Sequence, residues 1–130
     1  MKNISAKSIA SALALAFVGM AYCGVSLAAD VEALVVIKNH RFEPTELNVP
    51  ANQRVRLTVH NQDSTPEEFE SHALNREKVI PGGAKAVIFI GPLKPGRYEF
   101  FGEYNEASAK GAVVVKEYLI TKETSCLQPV

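Results

Sequence analysis

The chain has 130 residues, and its 14 Lys and Arg balance 14 Asp and Glu to a formal net charge of zero. Nothing in that balance suggests nucleic acid or an anionic membrane surface as a partner. The length allows one domain with one modest core, and not two domains.

The first segment reads as a targeting signal rather than as structure. Lys2 and Lys7 form a short basic region, Ile9 to Val25 is a mostly apolar run, and Ser26-Leu27-Ala28 places small residues where a signal peptidase reads. Cleavage is expected before Ala29, which leaves residues 29–130 as an exported, periplasmic domain. The apolar run is short and broken by Gly, Ser and Cys, with no stop-transfer flank, which argues against a membrane anchor. A lipoprotein signal would need a small residue where Tyr22 precedes Cys23. Without Lys2 and Lys7 the basic count falls from 14 to 12, so the mature chain carries a formal −2. Cys126 is then its one cysteine, in the polar C-terminal tail TKETSCLQPV, which excludes an intramolecular disulfide. An exposed spare thiol is the plain reading of Cys126, set against a ligand or a bridge to another chain.

From there the chain reads as short strands between turn residues. Val31–Lys38 is apolar-rich and Glu46–Val49 is short. After the turn Pro50-Ala51-Asn52-Gln53, the segment Arg54–Asn61 alternates, with Val55, Leu57 and Val59 on one face and Arg54, Arg56, Thr58 and His60 on the other. A loop over Gln62–Pro66 leads to a carboxylate-rich strand, Glu67–Ala73. Pro81-Gly82-Gly83 turns into Ala84–Ile90, Lys94-Pro95-Gly96 turns into Arg97–Phe101, and Gly111–Glu117 closes the domain. The stretch from Gly102 to Lys110 has room for a single helical turn. Seven to eight short strands with Pro and Gly between them predict an all-β, two-sheet sandwich.

Five segments, in order, carry a resemblance. Phe42-Glu43-Pro44 precedes Leu47-Asn48-Val49, and PANQRVRLTVHN runs from Pro50 to Asn61. Asn61-Gln62-Asp63 follows, then Pro95-Gly96-Arg97-Tyr98-Glu99-Phe100, then Gly111-Ala112-Val113-Val114-Val115. Together they resemble the cupredoxin family from about Leu34 to Lys116, which implies a Greek-key β-sandwich. In that family the loop between the last two strands supplies Cys, His and usually Met to a copper ion. Here the Cys position reads Gly102, the His position reads Asn105, and no Met lies between Asn105 and Gly111. The first His position falls in Pro66-Glu67-Glu68-Phe69-Glu70-Ser71. A blue-copper site needs a thiolate and two imidazoles, so electron transfer of that kind is not expected.

The block Glu67–Gly82, EEFESHALNREKVIPG, is similar to the cupredoxin-like domains of periplasmic iron-uptake systems of the EfeO and Ftr type. Glu68-Phe69-Glu70, Arg76-Glu77 and Pro81-Gly82 carry that likeness. It implies an exported accessory that binds iron, copper or both, and whose partners are an iron permease and a second periplasmic iron-binding protein. In that subgroup a His is often found near position 105, where this chain has Asn105.

The residues make a physical case of their own. On a strand Glu68 and Glu70 share one face while Phe69 points to the core. Their charges repel, and a cation offsets that repulsion. Glu77 and Glu103 are expected to converge on the same end of the sandwich, with His72 on the Glu70 side if the strand continues and Glu106 as a further donor. Carboxylates suit hard cations such as Fe(III), Mn(II) or Ca(II). The plainer alternative is a solvated acidic edge that keeps the strand from pairing with neighbours. Whether Glu67 or Glu68 faces the site is a one-residue question of register that flips the side chains. His40 and His60 read as surface residues. No Ser/His/Asp set, His-x-x-x-His or phosphate loop points to catalysis, so no enzyme activity is expected. The leading expectation is a metal-binding accessory with Glu68, Glu70, Glu77, Glu103 and His72 as ligands. The rival is a metal-free protein–protein interaction module on the same frame, with a ferroxidase a distant third.

Overall fold

The computed structural model describes residues 29–117, so the readings of residues 1–28 and of Cys126 fall outside the described residues. Nine strands build two sheets: β1 (Val31–Lys38), β2 (Arg41–Glu43), β3 (Glu46–Pro50), β4 (Val55–Asn61), β5 (Glu67–Ser71), β6 (Arg76–Ile80), β7 (Lys85–Ile90), β8 (Gly96–Gly102) and β9 (Lys110–Lys116). One sheet runs β2-β1-β4-β7 and the other β3-β9-β8-β5-β6. The β1–β4 and β3–β9 pairs are parallel and the remaining pairs antiparallel. The all-β Greek-key sandwich is as expected. Among the described residues, the only helical element is a 3-10 turn at Glu103–Asn105, inside the stretch expected to hold one turn.

Alternation places the core. Val55, Leu57 and Val59 of β4 point inward to meet Val35 and Ile37 of β1 and Ile88 and Ile90 of β7. From the second sheet come Phe69, Phe100, Val113 and Val115. Phe42, Phe69 and Phe100 form the aromatic centre, with ring centroids 4.9 to 6.1 Å apart. A side chain at Gly111 would stand 2.5 Å from the Phe100 ring, so β9 can lie over that ring only with glycine there.

Two strands escaped the pattern. β2 has three residues and follows a tight turn in which Asn39 and His40 both have positive φ. β6 is an edge strand, exposed along four of its five residues, so it offers no alternation to read. The expected strand Glu67–Ala73 stops at Ser71, where His72–Asn75 form a turn. Ser71 causes the stop: its hydroxyl donates to the Glu99 carbonyl at 2.6 Å and accepts from the Leu74 amide at 3.1 Å.

Candidate functional site

The β5 strand has two faces, and each holds carboxylates. Phe69 is fully buried, and the period of two turns Glu67 to the same interior side. Glu67 is 2% exposed, and its carboxylate is fully employed. Oε1 accepts from the backbone N–H of Glu68 and of Tyr104, both at 3.0 Å, and Oε2 accepts from Nδ2 of Asn105 at 2.7 Å. Burying a carboxylate is costly unless such donors replace water.

Gly102 makes room for this arrangement. A Cβ there would lie 2.7 Å from Cδ of Glu67, 2.9 Å from its Oε1 and 2.8 Å from Cβ of Ala109. Glu67, Gly102 and Asn105 therefore fill one place between β5, β8 and the 3-10 turn. This settles the register question: Glu67 faces inward and Glu68 outward.

Outward lie the other expected residues. Glu70 stands opposite Glu77 across the β5–β6 pair, and Glu68 opposite Val79. The Glu103 carboxyl is pushed above its usual range, first by sharing a hydrogen bond with Glu70, then by the Glu70 charge, loss of water and the Glu77 charge, against a hydrogen bond with Glu68. His72 arrives from the turn rather than from a continuing strand, with Nδ1 3.2 Å from Oε1 of Glu70 and its ring 5.5 Å from that of Phe101. The structure thus brings Glu68, Glu70, Glu77, Glu103 and His72 to one face. Glu68 is 8% exposed, an unusual state for an outward carboxylate. Among the described residues, however, no group of three or more His, Cys, Asp and Glu side chains is arranged to hold a metal ion.

Tyr104 is the neighbour that sequence reading missed. Its hydroxyl is raised above the usual tyrosine range by loss of water and then by the Glu68 carboxylate beside it. Only its place next to Glu103 in the late loop could have pointed to it. Glu106, expected as a further donor, lines a groove of about 600 Å³ with Arg97, Phe101 and Lys110. His40 is exposed, and His60 is half-buried on the outer face of the first sheet.

The Asn61-Gln62-Asp63 motif proves to be scaffold. Asp63 accepts the Asn39 amide at 2.7 Å and the His40 amide at 2.9 Å, and these bonds, the His40 one foremost, hold its carboxyl below the usual range. Arg76, read with Glu77 as part of the acidic block, donates through Nε to the Phe89 carbonyl at 2.8 Å and so ties β6 to β7.

A family model described as a cupredoxin-like domain matches residues 9–115. The chain belongs to this family. An uncharacterized protein of Rickettsia prowazekii (strain Madrid E) is 42% identical to this cupredoxin-like protein over 87 residues, covering 67% of this chain and 70% of the relative. Among solved structures, it is similar to the metal-binding domain of the Cu(I)-exporting P-type ATPase CopA of Streptococcus pneumoniae. There the TM-score is 0.61 at 19% identity, over 71% of this chain and 92% of that one. Auracyanin A, a blue copper protein of Chloroflexus aurantiacus, gives 0.60 at 15% identity over 68% of this chain and 100% of that one. A purple cupredoxin from Nitrosopumilus maritimus gives 0.52 at 20% identity over 65% and 99%. At these identities the likeness is one of fold.

Proposed function

We propose that this cupredoxin-like protein is an exported metal-binding accessory of bacterial iron uptake, which takes a hard cation on the outer face of β5 and β6. The observation that carries this reading is the crowding of Glu103 against Glu70, with Glu77 opposite and Glu68 alongside. Like charges held together repel, and a cation bound among them relieves the repulsion. Carboxylate oxygens fit Fe(III), Mn(II) or Ca(II) better than a soft ion.

The interior place does not fit the copper centre of a blue-copper protein. That centre needs a thiolate and two imidazoles, whereas the described residues supply a glycine, a glutamate and an asparagine in contact with one another. Periplasmic location, the iron permease and the second iron-binding protein as partners enter through the signal-like segment 1–28 and the likeness of Glu67–Gly82 to iron-uptake domains. The role is binding and delivery, not catalysis.

Calorimetry of the purified protein with Fe(III), Mn(II) and Cu(II) tests the site. Fe(III) or Mn(II) is expected to bind, and to bind at least tenfold more weakly after Glu68→Gln with Glu70→Gln. No binding by the native protein, or equal binding by the double variant, removes the proposal.

The metal-free interaction module draws on a separate observation. β6 is an edge strand with Val79 45% exposed beside the acids, and Tyr104 is 51% exposed nearby. Capture of a periplasmic partner that is unchanged by chelator and lost in Glu77→Lys supports that reading instead.

A further inference from the structure

The 3-10 turn and the loop after it are tied mostly to themselves. The Ser108 and Ala109 amides both donate to the Asn105 carbonyl, at 3.1 and 2.8 Å, and the Gly102 amide donates to the Ala109 carbonyl at 2.9 Å. One outside tie is the Ser108 hydroxyl on the His40 carbonyl at 2.8 Å. A second is Glu67, which reaches across 37 and 38 residues of sequence to the Tyr104 amide and the Asn105 side chain, beside the hydrogen bonds of the Glu103 side chain with Glu70 and Glu68 at the outer face.

We propose that Glu67 takes the place of an interior metal ion as the group that fastens this loop. A carboxylate and a bound cation solve the same problem here: each gathers groups from β5 and from the β8–β9 connection around one buried point. Glu67 does so as the acceptor, with two backbone N–H groups and one amide as donors, and hydrogen bonds to a carboxylate are stronger than neutral ones. Gly102 leaves the space for the carboxylate, and Asn105 supplies a donor where an imidazole would present a lone pair to a metal. The loop is therefore ordered without a metal. Glu103 is held beside Glu70 before any cation arrives, and Glu67 is a positioning residue for the outer face. The consequence for Glu103 rests on the proposed cation site, whereas the fastening itself does not.

Native-state amide exchange on chelator-treated protein, read residue by residue by NMR, tests the fastening. The Tyr104 and Ala109 amides are expected to be protected in the metal-free protein and unchanged by added Ca(II), a diamagnetic hard cation that leaves the amide signals sharp. Glu67→Ala should speed Tyr104 exchange at least tenfold while leaving Val59 of β4 unchanged. Should that variant fail to fold, Asn105→Ala removes one tie alone and is expected to speed Tyr104 exchange several-fold. Free exchange of Tyr104 in the metal-free native protein overturns the proposal, as does protection gained only with metal, or unchanged exchange in both variants. Whether Ca(II) binds at Glu68 and Glu70 shows in the same spectra as shifts on the outer face. The cation site can therefore fail while the fastening stands, or the reverse.

Discussion

Glu70 and Glu77 face each other directly across the β5–β6 ladder, and Glu103 leans toward the same carboxylate from the 3-10 turn. Like charges directly opposite on an antiparallel pair weaken it. Glu77→Gln keeps the side-chain shape and removes one charge. In chelator at low salt it is expected to stabilise the protein by up to about 1 kcal/mol, and the gain should shrink as salt screens the surface. Urea denaturation at two ionic strengths measures it. Added Mn(II) should then stabilise the native protein more than the variant, because a ligand stabilises only through its affinity for the folded state. A variant less stable than the native protein in chelator contradicts the repulsion argument.

Two carboxyls set opposite trends with pH. Glu103 is raised above its ordinary value of 4.5, so the folded state binds its proton more readily than the unfolded state does. Its contribution to stability is full below that value and is lost as pH rises through the raised one. Asp63 is lowered from 3.8, so its contribution is present above that value and is lost as pH falls through the lowered one. From neutral pH downward, melting temperature is therefore expected to rise as Glu103 protonates and to fall once Asp63 does. Glu103→Gln should abolish the rise and keep the fall; a melting profile that keeps both limbs assigns the rise to another group. Cation binding should weaken over the range in which Glu103 takes up its proton.

Much of this was legible in the residues, and the misses have physical causes. β1, β4 and β7 declare themselves because buried Val, Leu and Ile alternate with outward polar or partly exposed residues. β6 stays silent because an exposed edge imposes no pattern, and β2 because three residues are too few to show one. Glu68 and Glu70 could be read as outward from the parity of β5 with Phe69 turned inward, whereas Glu77 and Glu103, on β6 and the 3-10 turn, were expected there only as carboxylates converging on the same end of the sandwich. The same parity puts Glu67 inside, yet a buried glutamate is a costly assignment without knowledge of its donors. Two of its three donors lie 37 and 38 residues away on a turn. Gly102 and Glu67 compensate in volume, and such a pairing leaves no trace in local composition.

Asn61 shows how a family motif can be structural. The side chain is fully buried at the end of β4. Its Nδ2 donates to the Thr65 carbonyl at 2.8 Å and to the Ile80 carbonyl at 3.1 Å, and its Oδ1 accepts the Asp63 amide at 3.0 Å. One amide thus joins β4, the loop into β5 and the end of β6. Asn61→Ala strands the buried Ile80 carbonyl and the Asp63 amide, at about 1–3 kcal/mol for each group left without a partner. Net destabilisation of about 3 kcal/mol is expected, as a lower urea midpoint with an unchanged slope. Asn61→Asp should do no better, because it sets a carboxylate against two carbonyl oxygens. Neither change touches the outward face of β5, so a folded Asn61→Ala protein should bind Mn(II) as the native protein does. Loss of binding in that variant, under conditions where it remains folded, would mean that the cation site reaches to the β4 end of the sandwich.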